Sequence, residues 1–120
     1  TLTLKDADRM QALLDRMGDP AQEERAMRAY GDQVRNLVRD FYSGRARACF
    51  ESRSRNNEGL RGKVVVTVTL GASGYPDATE VQYNNTGDPL LGRCLVGRIS
   101  TWRFPAPPEA GVQLALPFRY

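Results

Sequence analysis

The residues with the most distinctive chemistry in this chain of 120 amino acids are two cysteines, Cys49 and Cys94, and the sequence contains no histidine. Without histidine the chain lacks the commonest general base and the commonest metal ligand. Two cysteines alone do not supply the ligands of an ordinary structural zinc site. The composition therefore leaves two alternatives open, which are a pair of buried thiols and a single disulfide bond.

The carboxylates do not point to catalysis either. Asp77, Glu80 and Asp88 form no convincing acid pair, and Asp88 precedes Pro89 in a pattern typical of a helix N-cap. No CxxC motif is present that would mark a redox-active thiol. Because the sequence offers neither a nucleophile with its base nor a set of metal ligands, we expect a protein that is not an enzyme. We also expect no cofactor and no small-molecule substrate.

Arginine supplies all but two of the 17 basic residues, and the formal net charge is +3. Six arginines crowd one predicted helix, and they are Arg35, Arg39, Arg45, Arg47, Arg53 and Arg55. This helix either presents an ordinary solvated face or binds an acidic partner, an anionic envelope polymer or nucleic acid. Acidic residues interleave with the arginines and no nucleic-acid-binding motif is present, so we expect no nucleic-acid partner.

The first half of the chain is predicted to be helical. Residues 1–30 are mostly polar, with a helix start at Asp19-Pro20, and we interpret them as a helical extension or linker whose deletion leaves the rest folded. A longer helix is predicted to begin at Gly31-Asp32. Its apolar face consists of Val34, Leu37, Val38, Phe41, Ala48 and Cys49, with Arg45 as the one polar member.

Two strands joined by a turn are predicted next. Residues 63–70 are β-branched almost throughout, which is typical of a strand, and the glycines of residues 71–74 indicate a hairpin turn. A weaker second strand follows, with Pro76 at its start or on a sheet edge because proline cannot donate to a ladder. The side chains expected on one face of this second strand are Thr79, Val81 and Tyr83.

The chain then returns to a helix and ends in a strand. The apolar face of this helix consists of Leu91, Cys94, Leu95, Ile99 and Trp102. We interpret Trp102 and Phe104 as core residues rather than as a platform for a ligand. Apolar residues alternate from Val112 to Tyr120, which indicates the last strand. The order helix–strand–strand–helix–strand predicts an α+β fold with helices on one face of a small antiparallel sheet.

Several short motifs together resemble a known family. In order along the chain they are Cys49-Phe50-Glu51, residues 62–70, Gly74, Gly87-Asp88-Pro89, Cys94, Ile99, residues 102–107 and residues 116–120. This pattern is similar to the AgmX/PglI-type C-terminal domain, a TonB-related module at the ends of myxobacterial envelope proteins. The likeness covers residues 33–120, although Pro76 stands where the family usually has a β-branched residue.

The resemblance implies a TonB C-terminal-like fold for residues 31–120, with a three-stranded antiparallel sheet and two helices packed on one face. It implies a disulfide between Cys49 and Cys94, because both match the family's paired positions and both fall on predicted apolar helical faces. It also implies a location in the periplasm, in a protein that reaches the inner membrane through a segment outside this chain.

Domains of this family are proposed to transmit energy or force from an inner-membrane motor to an outer-membrane or periplasmic partner, notably in gliding motility. In TonB-like folds the last strand borders the sheet, and an extended segment of the partner pairs with its free edge. The residues expected to make this contact are Val112, Gln113, Leu114, Ala115 and Leu116. The alternative function is binding of an anionic envelope polymer through the Arg-rich helix.

Overall fold

The computed structural model of the protein describes residues 20–120, which form an α+β fold. Most of the predicted helical extension therefore lies outside the described residues. The elements are α1 (Pro20–Leu37), a π-helical turn (Val38–Tyr42), α2 (Ser43–Ser54), β1 (Lys63–Leu70), β2 (Pro76–Asn84), α3 (Pro89–Ile99) and β3 (Val112–Arg119). The three strands form one antiparallel sheet in the order β2-β1-β3. The predicted three-stranded antiparallel sheet with helices packed against it is confirmed.

β1 is the central strand, and its sequence suits that position. One face of the strand carries four fully buried side chains, which are Val64, Val66, Val68 and Leu70. The residues between them are half-buried on the opposite face. Alternating β-branched residues pack well on a pleated surface that is covered by helices on one side. The buried face of β1 thus forms the sheet side of the core. The two strands that flank β1 are the edges of the sheet.

β2 begins at Pro76 and forms an edge, as the proline predicts. Its pairing with β1 shifts register in two places, between Val65 and Val66 and between Thr69 and Leu70. The first shift corrects the sequence prediction for this strand. Val81 pairs with Val66 and Tyr83 with Val65, so the side chains of Val81 and Tyr83 lie on opposite faces instead of sharing one.

The first helix does not begin at Gly31, because α1 runs without a break from Pro20 through that position. A π-helical turn then inserts one extra residue per turn, with the Ser43 N–H bonding to the Val38 carbonyl. The insertion rotates all later side chains by roughly one residue position, or about 100°. Phe41 consequently points outward with 73% of its surface exposed, and the prediction that it joins the apolar face is wrong.

The core residues that replace the predicted ones each lie one position further along. They are Tyr42 in place of Phe41 and Ala46 in place of Arg45, whereas the predicted core position of Cys49 is confirmed. Trp102 and Phe104 are also core residues, as expected, and Trp102 stacks on Tyr42 with ring centroids 4.5 Å apart. The shift explains why one arginine interrupted the predicted apolar face.

The predicted boundary between residues 30 and 31 falls inside α1. Tyr30 is 4% exposed, and its hydroxyl donates a hydrogen bond of 2.7 Å to the Pro105 carbonyl in the connection between α3 and β3. Val34, one turn later, is fully buried. The last residue of the predicted extension therefore contacts the core, and the α1 helix carries the chain directly into the region beside β3.

Candidate protein-interaction site

The two cysteines are joined in a disulfide that links α2 to α3. Cys49 is fully buried and Cys94 packs against the core, with their Cα atoms 5.7 Å apart, a normal separation for a disulfide. The two residues are separated by 45 positions in the sequence. The bond confirms the predicted pairing and is compatible with an oxidising compartment outside the cytoplasm.

β3 is an edge of the sheet, and its pairing determines which of its backbone groups are free. Next to the strand, the Tyr120 N–H donates to the Gly62 carbonyl at 3.0 Å, and the Gly62 N–H donates back at 3.3 Å. Bonded and non-bonded pairs alternate along an antiparallel ladder, so the even-numbered residues of β3 bond to β1. The N–H and C=O groups of Gln113 and Ala115 consequently point to the open edge, on the same side as the ring nitrogen of Pro117.

The five predicted contact residues, Val112–Leu116, all lie on this edge strand. The side chains of Gln113 and Ala115 are exposed on the face away from the helices. Leu116 is buried on the helix face, and Val112 and Leu114 are partly buried there. Among residues 20–120, the outward backbone groups of this strand have no partner, and its helix-facing side chains are anchored in the core. A role for these residues in binding stays a prediction.

A groove of about 460 Å³ lies between the second half of β3 and the helical region formed by the end of α1, the π-helical turn and α2. We call it the β3 groove. Its floor is apolar and consists of Val38, Ala46, Leu116, Phe118 and Tyr120. Its rim carries four arginines, Arg35, Arg39, Arg47 and Arg119. Only Leu116 belongs both to this groove and to the contact residues predicted from the sequence.

The structure assigns different contacts to the arginines that sequence analysis grouped together. Arg35, Arg39 and Arg47 line the β3 groove and pair with carboxylates on their own helix, at 3.1, 3.0 and 3.4 Å. Arg45 lies over the Tyr42 ring, 5.5 Å from its centroid. Arg53 instead forms a partly buried ion pair with Asp88. The six arginines therefore do not make one continuous charged face.

Tyr120 closes the end of the β3 groove. Its ring stacks on Phe50 of α2 with centroids 4.3 Å apart, and its hydroxyl donates to the Ala46 carbonyl at 3.3 Å. Burial raises the pKa of Tyr120 from 10.0 to about 12, although the positive charge of Arg47 opposes that rise. The neutral phenol is thus strongly favoured where β3 meets α2.

Near the β2 edge of the sheet, the buried carboxylate of Asp88 connects the start of α3 to α2. Asp88 is 5% exposed, caps α3 by accepting the Leu90 N–H, and accepts two hydrogen bonds from Arg53 at 2.7 and 3.3 Å. The hydrogen bond from Arg53 is the main reason why the pKa of Asp88 lies below its usual value of 3.8. Burial opposes this shift. Each Asp88 oxygen has a partner, so the residue is structural and the N-cap prediction is confirmed.

Across residues 20–120, the acidic and cysteine side chains do not cluster in a way that would hold a metal ion. In the same part of the chain, no helix has both the length and the apolar character needed to cross a membrane. Comparisons with protein-family models, with curated proteins and with solved structures find no match.

The β3 groove does not follow from a constant helical period, because the π-helical turn decides which helical residues face β3. Two signals in the sequence point to it in retrospect. Arg35, Arg39 and Arg47 are separated by four and by eight residues. In a regular α-helix of 3.6 residues per turn, residues with this spacing drift around the axis, and a wider turn between them brings them back to one side. Arg45 was also an unfavourable member of an apolar face, which indicates that the assumed helical period changes before it.

Proposed function

We propose that this domain is a periplasmic protein-interaction module that binds an extended segment of a partner by strand addition to β3. The observation that carries the proposal is the open edge of β3, where Gln113 and Ala115 direct free backbone groups outward beside a groove. A partner strand would satisfy these groups, and the groove would select its side chains. The disulfide between α2 and α3 supports a location outside the cytoplasm.

We further propose that the domain belongs to an energy- or force-transducing complex of the cell envelope and contacts an outer-membrane partner. The motifs shared with the AgmX/PglI-type, TonB-related domain support this part of the proposal, which includes a role in gliding motility. The α+β fold, with the last strand at a sheet edge, is the arrangement that the resemblance implies.

Proline substitutions test strand addition at single backbone positions. Ala115→Pro removes an outward N–H, and Pro117 already occupies the equivalent position two residues later, so the variant should fold. It should lose capture of the partner from outer-membrane and periplasmic extracts. Leu114→Pro removes an N–H that bonds to β1 and should reduce stability by about 1–3 kcal/mol. Leu114→Ala controls for the loss of packing.

Circular dichroism and quantitative mass spectrometry of the captured proteins separate these outcomes. If folded Ala115→Pro captures the same proteins as the wild type at the same yield, strand addition at β3 is wrong. The alternative function, binding of an anionic envelope polymer, is favoured by one specific observation, which is the group of arginines around a single groove. A polymer that binds only these arginines would be insensitive to Ala115→Pro.

A further inference from the structure

We propose that the segment that pairs with β3 is acidic, and that its carboxylates bind the arginines on the rim of the β3 groove while apolar side chains between them contact its floor. This inference rests on the proposed strand addition. It adds the chemical class of the partner segment, which the open edge by itself does not define.

The position of the groove determines which partner side chains enter it. Side chains of a strand alternate between the two faces of the sheet, and Leu116 and Phe118 of β3 point towards the helices. A strand added beside them would direct every second side chain to the same face, over the β3 groove. The residues at these alternate positions are therefore the ones that Arg39 and Arg47 can reach.

The charge around the groove favours carboxylates at those positions. Four of the residues that line the groove are arginines, and none of the lining residues is acidic. A guanidinium group binds a carboxylate through two parallel hydrogen bonds. Arg119 alternates with the helix-facing Phe118, so the three helical arginines, Arg35, Arg39 and Arg47, are the ones placed to meet these carboxylates.

The existing ion pairs on the rim do not block such binding. Asp32, Asp40 and Glu51 pair with the rim arginines, but every side chain in these three pairs is more than half exposed. Exposed pairs of this kind contribute little free energy, so a carboxylate placed by a bound strand can compete for the same guanidinium groups.

The apolar floor of the groove determines the second property of the partner segment, which is the presence of apolar side chains. Val38 and Tyr120 are only partly buried and present apolar surface between the arginines, over the buried Ala46 and Leu116. This surface is favourable only for an apolar side chain. An anionic polymer would neutralise the arginines but would leave the floor and the free N–H groups of β3 without partners. A peptide whose groove-facing side chains, at every second position of the strand, are acidic and apolar in turn matches all three features.

Matched synthetic peptides test the inference directly. The probe is a blocked nine-residue peptide with threonine at the odd positions and glutamate, valine, glutamate and valine at the even positions, so that glutamate and valine share one face. It is compared with peptides in which glutamine or lysine replaces glutamate. We expect the glutamate peptide to bind about tenfold more tightly than the glutamine peptide at low salt, from two exposed charge pairs. The preference should shrink as salt increases. Calorimetry gives the affinities, and amide hydrogen exchange by NMR reports Gln113, Ala115 and Arg119.

Two variants locate the charge preference. The double variant Arg39→Gln, Arg47→Gln should lose it, whereas Arg28→Gln should keep it. Arg28 is a matched control because it forms the same kind of exposed helical pair, with Glu24, but does not line the groove. Equal loss of the preference in both proteins would indicate a general charge effect and overturn the inference.

The peptide experiment also separates this inference from the proposed function. If the glutamate and glutamine peptides bind equally and both slow exchange at the outward amides of β3, strand addition stands and the acidic preference is wrong. If the glutamate peptide binds while those amides exchange at their free rate, strand addition itself is wrong. Failure of the glutamate peptide to bind at millimolar concentration overturns the acidic preference.

Discussion

The β2 edge of the sheet is interrupted by two register shifts relative to β1, whereas the β3 edge pairs with β1 over its whole length without one. The helices also pack more closely against the β2 edge than against the β3 edge. On the β2 side, α3 lies so close that a Cβ on Gly92 would be 2.9 Å from the Val81 side chain. On the β3 side, the end of α1 and α2 stand off and leave the β3 groove.

The difference shows how one small sheet can discourage pairing with another chain at one edge and leave the other edge regular enough for such pairing. Register shifts twist an edge strand and interrupt its regular row of hydrogen-bonding groups, which discourages pairing with another chain. The loop after β2 is also tied down, because Asn84 donates to the Asp88 carbonyl and Asn85 accepts the Lys63 N–H. β3 has only Pro117 as an interruption, so a strand added there, as we propose, would meet a regular edge.

The disulfide joins the two sides, and its removal has the largest expected effect. Replacing Cys49 and Cys94 by serine opens a loop that spans a sequence separation of 45 residues. Chain-entropy arithmetic for a loop of this length gives a loss of about 4 kcal/mol in the free energy of unfolding. Urea denaturation of the oxidised protein and the double variant measures the loss, and reduction of the wild type provides an independent control.

The same double variant tests whether the β3 groove depends on the β2 side of the sheet. The bond connects α2, which borders the β3 groove, to α3, which covers β2. If the groove depends only on local packing, the folded double variant should bind the glutamate–valine peptide with the wild-type affinity. Weaker binding would show that the β2 side helps to shape the groove. A loss below about 1 kcal/mol would contradict the expected stabilisation.

The next largest effect concerns the ion pair on the β2 side. Asp88→Ala removes the cap of α3 and leaves Arg53, whose side chain is 30% exposed, without its carboxylate. Loss of a cap and of a partly buried ion pair should reduce the free energy of unfolding by about 2–3 kcal/mol. Asp88→Asn keeps a side-chain acceptor for the cap and should lose less. Urea denaturation at neutral pH measures both variants.

The pH dependence of this effect follows from the lowered pKa of Asp88. A carboxyl whose pKa is lower in the folded state adds stability above its unfolded pKa, and this stability is lost as the pH falls through the folded value. The difference between wild type and Asp88→Asn should therefore shrink as the pH is lowered below about 4. A constant difference down to pH 2 would show that Asp88 does not act through its charge.

Much of the fold could be predicted because local patterns agree with the final packing. The alternation in β1 and β3 indicates which side chains face the helices, and Asp88-Pro89 marks the start of α3. The cysteine pairing followed from the family resemblance and from helical faces. These features depend on residues close together in sequence, or on motifs that a family pattern already contains.

The rest depended on geometry that no local pattern defines. One inserted residue in the π-helical turn moves Phe41 into solvent and Ala46 into the core. One shifted pair in β2 sends Tyr83 to the opposite face from Val81. The β3 groove combines both kinds of information, since one wall comes from a helix whose period changes and the other from residues 116–120 at the distant end of the chain. A constant helical period could not predict that combination.

The smallest expected effect lies on the β3 side, at the other end of the pH range. The pKa of Tyr120 is raised to about 12, so the neutral phenol is favoured in the folded state. The resulting stability is complete below the ordinary value of 10.0 and is lost as the pH rises from 10 to about 12. A shift of two pKa units corresponds to ~2.7 kcal/mol, and solvent screening of this partly exposed ring reduces the expected loss to about 1 kcal/mol.

Urea denaturation between pH 9 and pH 12 isolates this contribution when the wild type is compared with two variants. Tyr120→Phe keeps the stacking on Phe50 and removes the ionisable hydroxyl, so its stability should fall less steeply in alkali than that of the wild type. Tyr83→Phe is the matched control on the β2 side, because it removes an exposed hydroxyl, and the wild-type alkaline decrease should persist in it. The two edges of the sheet would then lose stabilising contacts at opposite ends of the pH range. The Asp88 ion pair is lost in acid, and the contact between Tyr120 and α2 is lost in alkali. An alkaline decrease that is equally steep in Tyr120→Phe would place its origin elsewhere and remove this distinction between the edges.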